Sequence, residues 1–294
     1  MANKKSDERT RNRRMAGILY LVGTPIGNLE DMTYRAVRIL NEVDLIAAED
    51  TRNSIKLLNH FDIHTPMTSY HEFNKLDKGQ ELIGKLQADQ NIAVITDAGM
   101  PGISDPGEEL VKMCYENGIE VTTVPGPTAF ASAAVMSGQP CRRLAFEAFL
   151  PKDKKEHARV LEELQKETRT ILIYEAPHHL KKTLQELRQA LGDEREITVT
   201  REISKKFEEK MKTTLLGACQ HYESEEPRGE YVLVIHGKSR EEVLREEMSK
   251  WENLTLEEHM QHYLEQGIDR KTAMKNVAKD LGISKRDVYN QLLQ

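Results

Sequence analysis

Cysteine is scarce in this 294-residue chain: there are three, Cys114, Cys141 and Cys219. An odd, widely spaced set implies neither a disulfide framework nor a zinc site, and it fits a reducing cytoplasm. Long apolar runs are also missing. Stretches such as 92–95 and 231–235 fall far short of the ~20 residues that span a bilayer, so no membrane association is expected. The phosphate-binding signatures G-x-G-x-x-G and G-x-x-x-x-G-K-[ST] are absent. The histidine pairs His60/His64 and His259/His262 have helical spacing but no third ligand nearby, so no metal is expected. The basic opening has no apolar core behind it and does not read as a secretory signal.

Hydrophobic residues make up 38% and charged residues 31%, the profile of a soluble globular protein long enough for two cores and an appendage. A net charge of −6 argues mildly against a protein coated in nucleic acid. The charge is uneven, however. Residues 1–14 carry six Lys/Arg against two acids, and residues 201–212 carry five against three. Such local segments can meet phosphates, although a charge run is more often a solvated face.

Residues 1–15 lack apolar periodicity and read as a flexible tail. Beyond them, apolar runs of strand length alternate with helix-period segments. Strands are predicted at 18–22, 45–49, 67–70, 92–96 and 119–124. Helices are predicted after Asn28, at 51–61, at 76–88, and after Asp105 with Pro106 in first position. That alternation means a parallel α/β sheet, in which ligands sit beyond the carboxyl ends of strands. Three glycine-rich breaks, 23–28, 97–107 and 125–128, fall at such ends and predict one convergent site. A second α/β unit, with antiparallel members in its sheet, follows. Its helices are predicted at 128–138, 153–167 and 178–192, and its strands at 144–149, 170–176, 196–202, 209–215 and 229–237. From Lys238 onward only helices are readable, at about 239–250, 255–266, 269–280 and 284–293. The expected fold is therefore α/β: a tail at 1–15, a parallel domain at 16–125, a mixed-sheet domain at 126–238 and a helical, helix-turn-helix-like module at 239–294.

The loops disfavour a nucleotide phosphate. Pro25, Pro125 and Pro127 remove backbone donors that a phosphate cradle needs. An uncharged adenosine with a small zwitterion has no such requirement. Asp97, at a strand end with no helix directly after it, is read as a ligand contact. Asp105 is read as a helix cap.

The segments GTPIGNLEDMTYRA (23–36), AAEDTR (47–52), SYHEFN (69–74), DAGMPGISDPG (97–107), VPGPTA (124–129), YEAPHH (174–179), REISKKFEE (201–209) and RGEYVLVI (228–235) resemble, in this order, the tetrapyrrole methylase superfamily. They are closest to its branch acting on a 16S rRNA cytidine 2′-hydroxyl. The likeness to the superfamily covers about residues 17–237. It implies two α/β domains with S-adenosylmethionine in the cleft between them, and a homodimer. Carried over residue by residue, cofactor contacts are implied at Pro25, Gly27, Asp97, Ala98, Gly99, Met100, Ile103, Ser104, Thr128, Ala129 and Tyr174, and at Tyr231 or Val232. Porphyrin-methylating members tend to carry G-D-P where this chain has Asp97-Ala98-Gly99, which favours the RNA branch. The implied partner is 16S rRNA, in the assembled small ribosomal subunit.

Methyl transfer to a ribose hydroxyl needs alignment and a proton acceptor. Asp50, Arg52, His71, Glu72 and Lys205 are the site candidates, and Glu49 and Glu175 are further carboxylates at strand ends. Lys205 or Lys206 would stabilise an alkoxide. The base is left open: Asp50 is also placed to cap the helix at Thr51, and His71 and Glu72 to pair with Arg52. RNA contacts are expected at Arg52, Asn74, Lys152, Lys154, Arg201, Lys205 and Lys206. Aromatics are only 5% of the chain, so shape and phosphate contacts are expected to dominate over base stacking. In the C-terminal module, Ala273, Val277, Ala278, Leu281, Ile283, Val288 and Leu292 form an apolar set around a turn at Gly282, with Lys285 and Arg286 facing phosphates. A bundle that only packs on the enzyme is the alternative for this module. For the whole chain, the alternatives are a related methyltransferase acting on a tetrapyrrole or a protein side chain, and a nucleic-acid-binding regulator.

Overall fold

The computed structural model describes residues 16–239, 241–243, 245, 251 and 254–292. The tail expected at 1–15 lies outside them, as does much of the helix expected at 239–250. The first sheet contains β1 (Leu19–Val22), β2 (Leu45–Ala48), β3 (Met67–Ser69), β4 (Ile92–Ile95) and β5 (Val121–Val124), in the order β3-β2-β4-β1-β5. All its pairings are parallel. Such a sheet is covered on both faces, and its strands lose the polar/apolar alternation of a half-exposed sheet. Every residue of β4 is buried. The helices α1 (Tyr34–Glu42), α2 (Thr51–His60), α3 (Lys75–Gln87) and α4 (Glu108–Glu116) make the crossovers.

The second sheet contains β6 (Leu144–Phe149), β7 (Thr170–Glu175), β8 (Glu196–Arg201), β9 (Glu209–Thr214) and β10 (Tyr231–Ile235), in the order β6-β7-β10-β8-β9. Only β6 and β7 run parallel. Alternate residues of β10 serve two cores. Tyr231, Leu233 and Ile235 face one with α6 (Lys154–Leu164), α7 (Pro177–Leu191) and α8 (Leu215–Ser224). Val232 and Val234 face the other with α5 (Ala129–Ser137). That second core also takes in Ile26 from the loop after β1, so it joins the two lobes. β9 lies at the edge and carries Lys210 and Lys212 on its exposed positions, charges that discourage pairing with another chain.

Two local expectations are corrected and one helix is added. Asn28 caps a 3-10 turn, Leu29–Asp31, and α1 begins only at Tyr34 under the side-chain cap of Thr33. Asp105 caps nothing: α4 starts at Glu108 with Gly107 in the capping position. Gly102 and Gly107 lie so close that a Cβ on Gly107 would sit 3.0 Å from the Gly102 nitrogen. This fold-back keeps Asp105 in the loop. Helix α8 is an addition, since 216–228 carried no assignment. Its stripe of Leu215, Ala218, Cys219 and Tyr222 is buried, and Thr214 caps it.

The C-terminal module contains α9 (Leu256–Glu265), α10 (Arg270–Asp280) and α11 (Lys285–Gln291). Ala273, Val277, Ala278 and Val288 form its core with Met260. His259, 1% exposed, stacks on Trp251 at 3.8 Å, and its Nε2 lies 3.0 Å from Asp280 Oδ2. Among the described residues, no helix is long and apolar enough to cross a membrane.

Candidate active site

The strands β4, β1 and β5 are neighbours, so the loops at their carboxyl ends leave one edge of the sheet side by side. Backbone hydrogen bonds then tie them together. Thr24 N donates to Gly99 O at 2.9 Å, and Gly99 N donates back to Thr24 O at 3.1 Å. Gly23 and Gly126 pack backbone to backbone: a Cβ on Gly126 would lie 2.8 Å from the Gly23 Cα. The first loop also reaches the second lobe. The Ser204 hydroxyl donates to the Asp31 carboxylate, and a Cβ on Gly27 would strike the Lys205 side chain.

A cavity of 430 Å³ lies where these loops meet the second sheet. Its walls include Asp97, Ala98, Gly99, Met100, Ile103 and Ser104 from the loop after β4, Thr128 and Ala129 at the start of α5, and Tyr174, Tyr231 and Val232 from β7 and β10. Pro25 and Gly27 are not part of the lining; Ile26 between them is. Tyr174 is fixed by the Phe130 backbone N–H, which donates to its hydroxyl at 3.2 Å.

Of the five residues singled out for catalysis, Lys205 alone is on the cavity wall. Its Nζ lies 2.9 Å from both Glu202 Oε1 and Glu230 Oε2. Burial works against its charge, but the two carboxylates outweigh that and hold its pKa above the ordinary value. Asp50 caps α2 and pairs with Arg52 at 2.8 Å. Hydrogen bonds from Arg52 hold the Asp50 carboxyl down at about 2, which makes it a weak proton acceptor near neutrality. Glu72 pairs with Lys75 at 2.5 Å and not with Arg52. His71 keeps a buried Nδ1 without a hydrogen-bond partner among the described residues.

Three further carboxyls, Glu49, Asp105 and Glu175, stand on the cavity wall. Glu49, considered only secondarily in the sequence, is pushed up chiefly by burial. Asp105, read as a cap, is pushed up to about 7 by burial and then by the nearby charges of Glu49 and Asp97. The neighbouring Ser104 holds a left-handed backbone at φ 79°, a strained conformation for a side-chain-bearing residue. The sequence signal for Asp105 is the Pro106-Gly107 dipeptide directly after it, which marks a turn or loop. Glu175, by contrast, is occupied: the Thr183 hydroxyl and the Ala176 N–H both donate to it.

The expected RNA contacts are dispersed. Asn74 holds its own turn, accepting from His71 N at 2.8 Å. Arg201 pairs with Glu209 at 2.7 Å. Lys206 lies over the Phe207 ring. Lys152 and Lys154 line a second hollow, between α6 and α7. Lys285 and Arg286 are exposed in the first turn of α11.

Residues 18–219 match the family model described as Tetrapyrrole (Corrin/Porphyrin) Methylases. A Ribosomal RNA small subunit methyltransferase I of Bacillus subtilis is 47% identical over 274 residues, covering 93% of each chain. A protein of the same name from Synechocystis is 47% identical, covering 95% of this chain and 98% of the relative. Among solved structures, a uroporphyrin-III-C-methyltransferase from Thermus thermophilus superposes with a TM-score of 0.54 at 18% identity, over 74% of this chain and 94% of that one. A cobalt precorrin-4 methyltransferase superposes with a TM-score of 0.57 at 16% identity, over the same shares of the two chains. These distant structures share the fold, whereas the sequence relatives match nearly end to end. The chain is a methyltransferase that belongs to the tetrapyrrole (corrin/porphyrin) methylase family and, within it, to the group of ribosomal RNA small subunit methyltransferase I.

Proposed function

We propose that this protein transfers a methyl group from S-adenosylmethionine to the ribose 2′-hydroxyl of a cytidine in 16S rRNA, acting as a homodimer on the small ribosomal subunit. The relatives' names reach as far as small-subunit ribosomal RNA. The cytidine, the 2′ position and the dimer rest on the sequence resemblance. The observation that carries the reading is the cavity walled by the loop after β4 and the ends of β7 and β10.

The residues present fit the cofactor. A volume of 430 Å³ falls within the roughly 300–1,000 Å³ of small-molecule sites. Glu49, Asp97 and Asp105 give the wall a negative character, suited to an ammonium and a sulfonium and unsuited to a phosphate chain. S-adenosylmethionine supplies a methyl group on positively charged sulfur, and methylation of a hydroxyl releases one proton. Asp105 Oδ is the acceptor we assign to that proton, because a carboxyl at about 7 is half ionised near neutral pH and binds a proton usefully there. Lys205, held by Glu202 and Glu230, places a fixed positive charge on the opposite lobe, where it steadies negative charge developing on the hydroxyl oxygen. Ile26, Ile203 and Val232 keep part of the wall apolar and limit water.

The test is incubation with methyl-tritiated S-adenosylmethionine and a mixture of unmodified small ribosomal subunits, cell protein and a tetrapyrrole. The label is expected in rRNA, at one ribose after nuclease mapping. Label in the protein or the tetrapyrrole would overturn the reading.

A further inference from the structure

A hollow of 1080 Å³ runs between α6 and α7. Phe149, Glu175 and Ala176 line both this hollow and the 430 Å³ cavity, so the two spaces meet there. Ala158, Leu161 and Ala190 contribute apolar surface. Lys152 and Lys154 stand on the wall, and their side chains have no hydrogen bond or ion pair among the described residues. His178 stands there too. Of the carboxylates on the same wall, Glu186 already holds His157 at 3.1 Å and Lys182 at 3.4 Å. Glu175 takes hydrogen bonds from Thr183 and Ala176. The lining holds Lys152, Lys154 and Lys182 against Glu162, Glu175 and Glu186, so it is balanced in formal charge, and Lys152 and Lys154 are the cations in it without an ion-pair partner among the described residues.

Phe149 at the seam is 56% exposed. The pairing of β6 with β7 shifts register between Phe146 and Phe149, and Ala148 in that gap has a left-handed φ of 50°. A bulge of this kind re-aims a side chain, and bulges of this sort recur beside active sites. Strain at a non-glycine residue persists only where the surroundings impose it. The result is an aromatic face turned out of the sheet, with Tyr174 edge-on at 5.7 Å on its inner side.

We infer that the α6–α7 groove carries a single-stranded stretch of the RNA into the cavity. Phe149 stacks on a base next to the acceptor nucleotide, and Lys152 and Lys154 meet the backbone. The inference rests on the proposed rRNA activity. Proteins hold unpaired strands by stacking bases on aromatic side chains and meeting the backbone with basic ones, and Phe149 with the unpaired Lys152 and Lys154 supplies that pair of features on a partly apolar channel. Sequence-specific RNA recognition mostly targets unpaired loops and ends, whose bases can be splayed out and stacked on aromatic side chains. The 15 residues of α7 give the groove a wall of about 22 Å, room for several nucleotides.

The full-length protein is assayed with unmodified small ribosomal subunits at saturating S-adenosylmethionine. Phe149→Ala is expected to raise the KM for subunits about tenfold, and Phe149→Trp to restore it. The double variant K152E/K154E is expected to raise that KM at least as far. It should also flatten the salt dependence of binding by about one unit of log–log slope. The cofactor dissociation constant stays within twofold in K152E/K154E, whose two residues lie outside the lining of the 430 Å³ cavity. A subunit KM unchanged in both Phe149→Ala and K152E/K154E overturns the groove while leaving the rRNA activity standing. A parallel loss of cofactor binding in K152E/K154E, or its conversion to monomers in sedimentation, overturns it as well by reassigning the surface. A wild-type protein that labels no rRNA overturns both readings.

Discussion

Asp105 shows how a residue's chemistry follows from its burial. Its carboxyl has an ordinary value of 3.8 and is raised to about 7 in the folded chain. Between those values the folded protein binds a proton that the unfolded chain has lost, so this residue lowers stability as pH rises from about 4 to 7. Asp105→Asn removes that penalty. At pH 8 the variant is expected to melt above the wild type, and below pH 4 the difference should vanish, as calorimetry will show. If Asp105 takes the proton, the same variant loses about 10²- to 10⁴-fold in kcat. The wild-type rise in rate through pH 7 disappears with it. Asp50 contrasts with this. With its carboxyl at about 2 and its side chain capping α2, Asp50→Ala is expected to lower the urea unfolding midpoint. Its kcat should fall less than tenfold. At this scale the sequence was only partly legible. It places carboxylates at strand ends, but which of them is half-buried and unpaired and which is neutralised by an arginine depends on side chains that meet only after folding.

Among the elements, the loops were more legible than the helices they lead into. The breaks at 23–28, 97–107 and 125–128 were readable as a convergent site because glycine and proline punctuate parallel strands at their ligand-binding ends. What joins them is a contact between residues 103 apart, Gly23 against Gly126, and no local pattern reports that distance. Gly126→Ala puts a methyl 2.8 Å from the Gly23 Cα, in a place where backbone and not a flexible side chain must move. The variant is expected to bind S-adenosylmethionine at least tenfold more weakly in equilibrium dialysis. Its far-UV circular dichroism should stay unchanged, because the strands themselves are not touched. Helix α8 had a readable stripe, Leu215 to Tyr222, but it follows β9 with no spacer, and the strand reading ran over its first residue.

For the whole molecule, two sheets share a core through Ile26, Ala133 and Val232, while the C-terminal helices have a core of their own. Removing residues 240–294 is therefore expected to leave cofactor affinity within about twofold and to weaken subunit binding by tenfold or more. Equal losses in both would assign the module to packing alone. Within that module, His259 is a buried partner of Asp280, clamped under Trp251. The sequence by itself determined the alternation of strands and helices, the parallel first sheet, the three loops and the separate helical end, since each is written in short-range periodicity and in glycine and proline positions. Only the tertiary structure decided that Asp105 faces a cavity and Asp50 an arginine, and that a bulge turns Phe149 toward a second hollow. Burial and charge pairing are sums over neighbours far apart in the chain, and a linear pattern does not contain them.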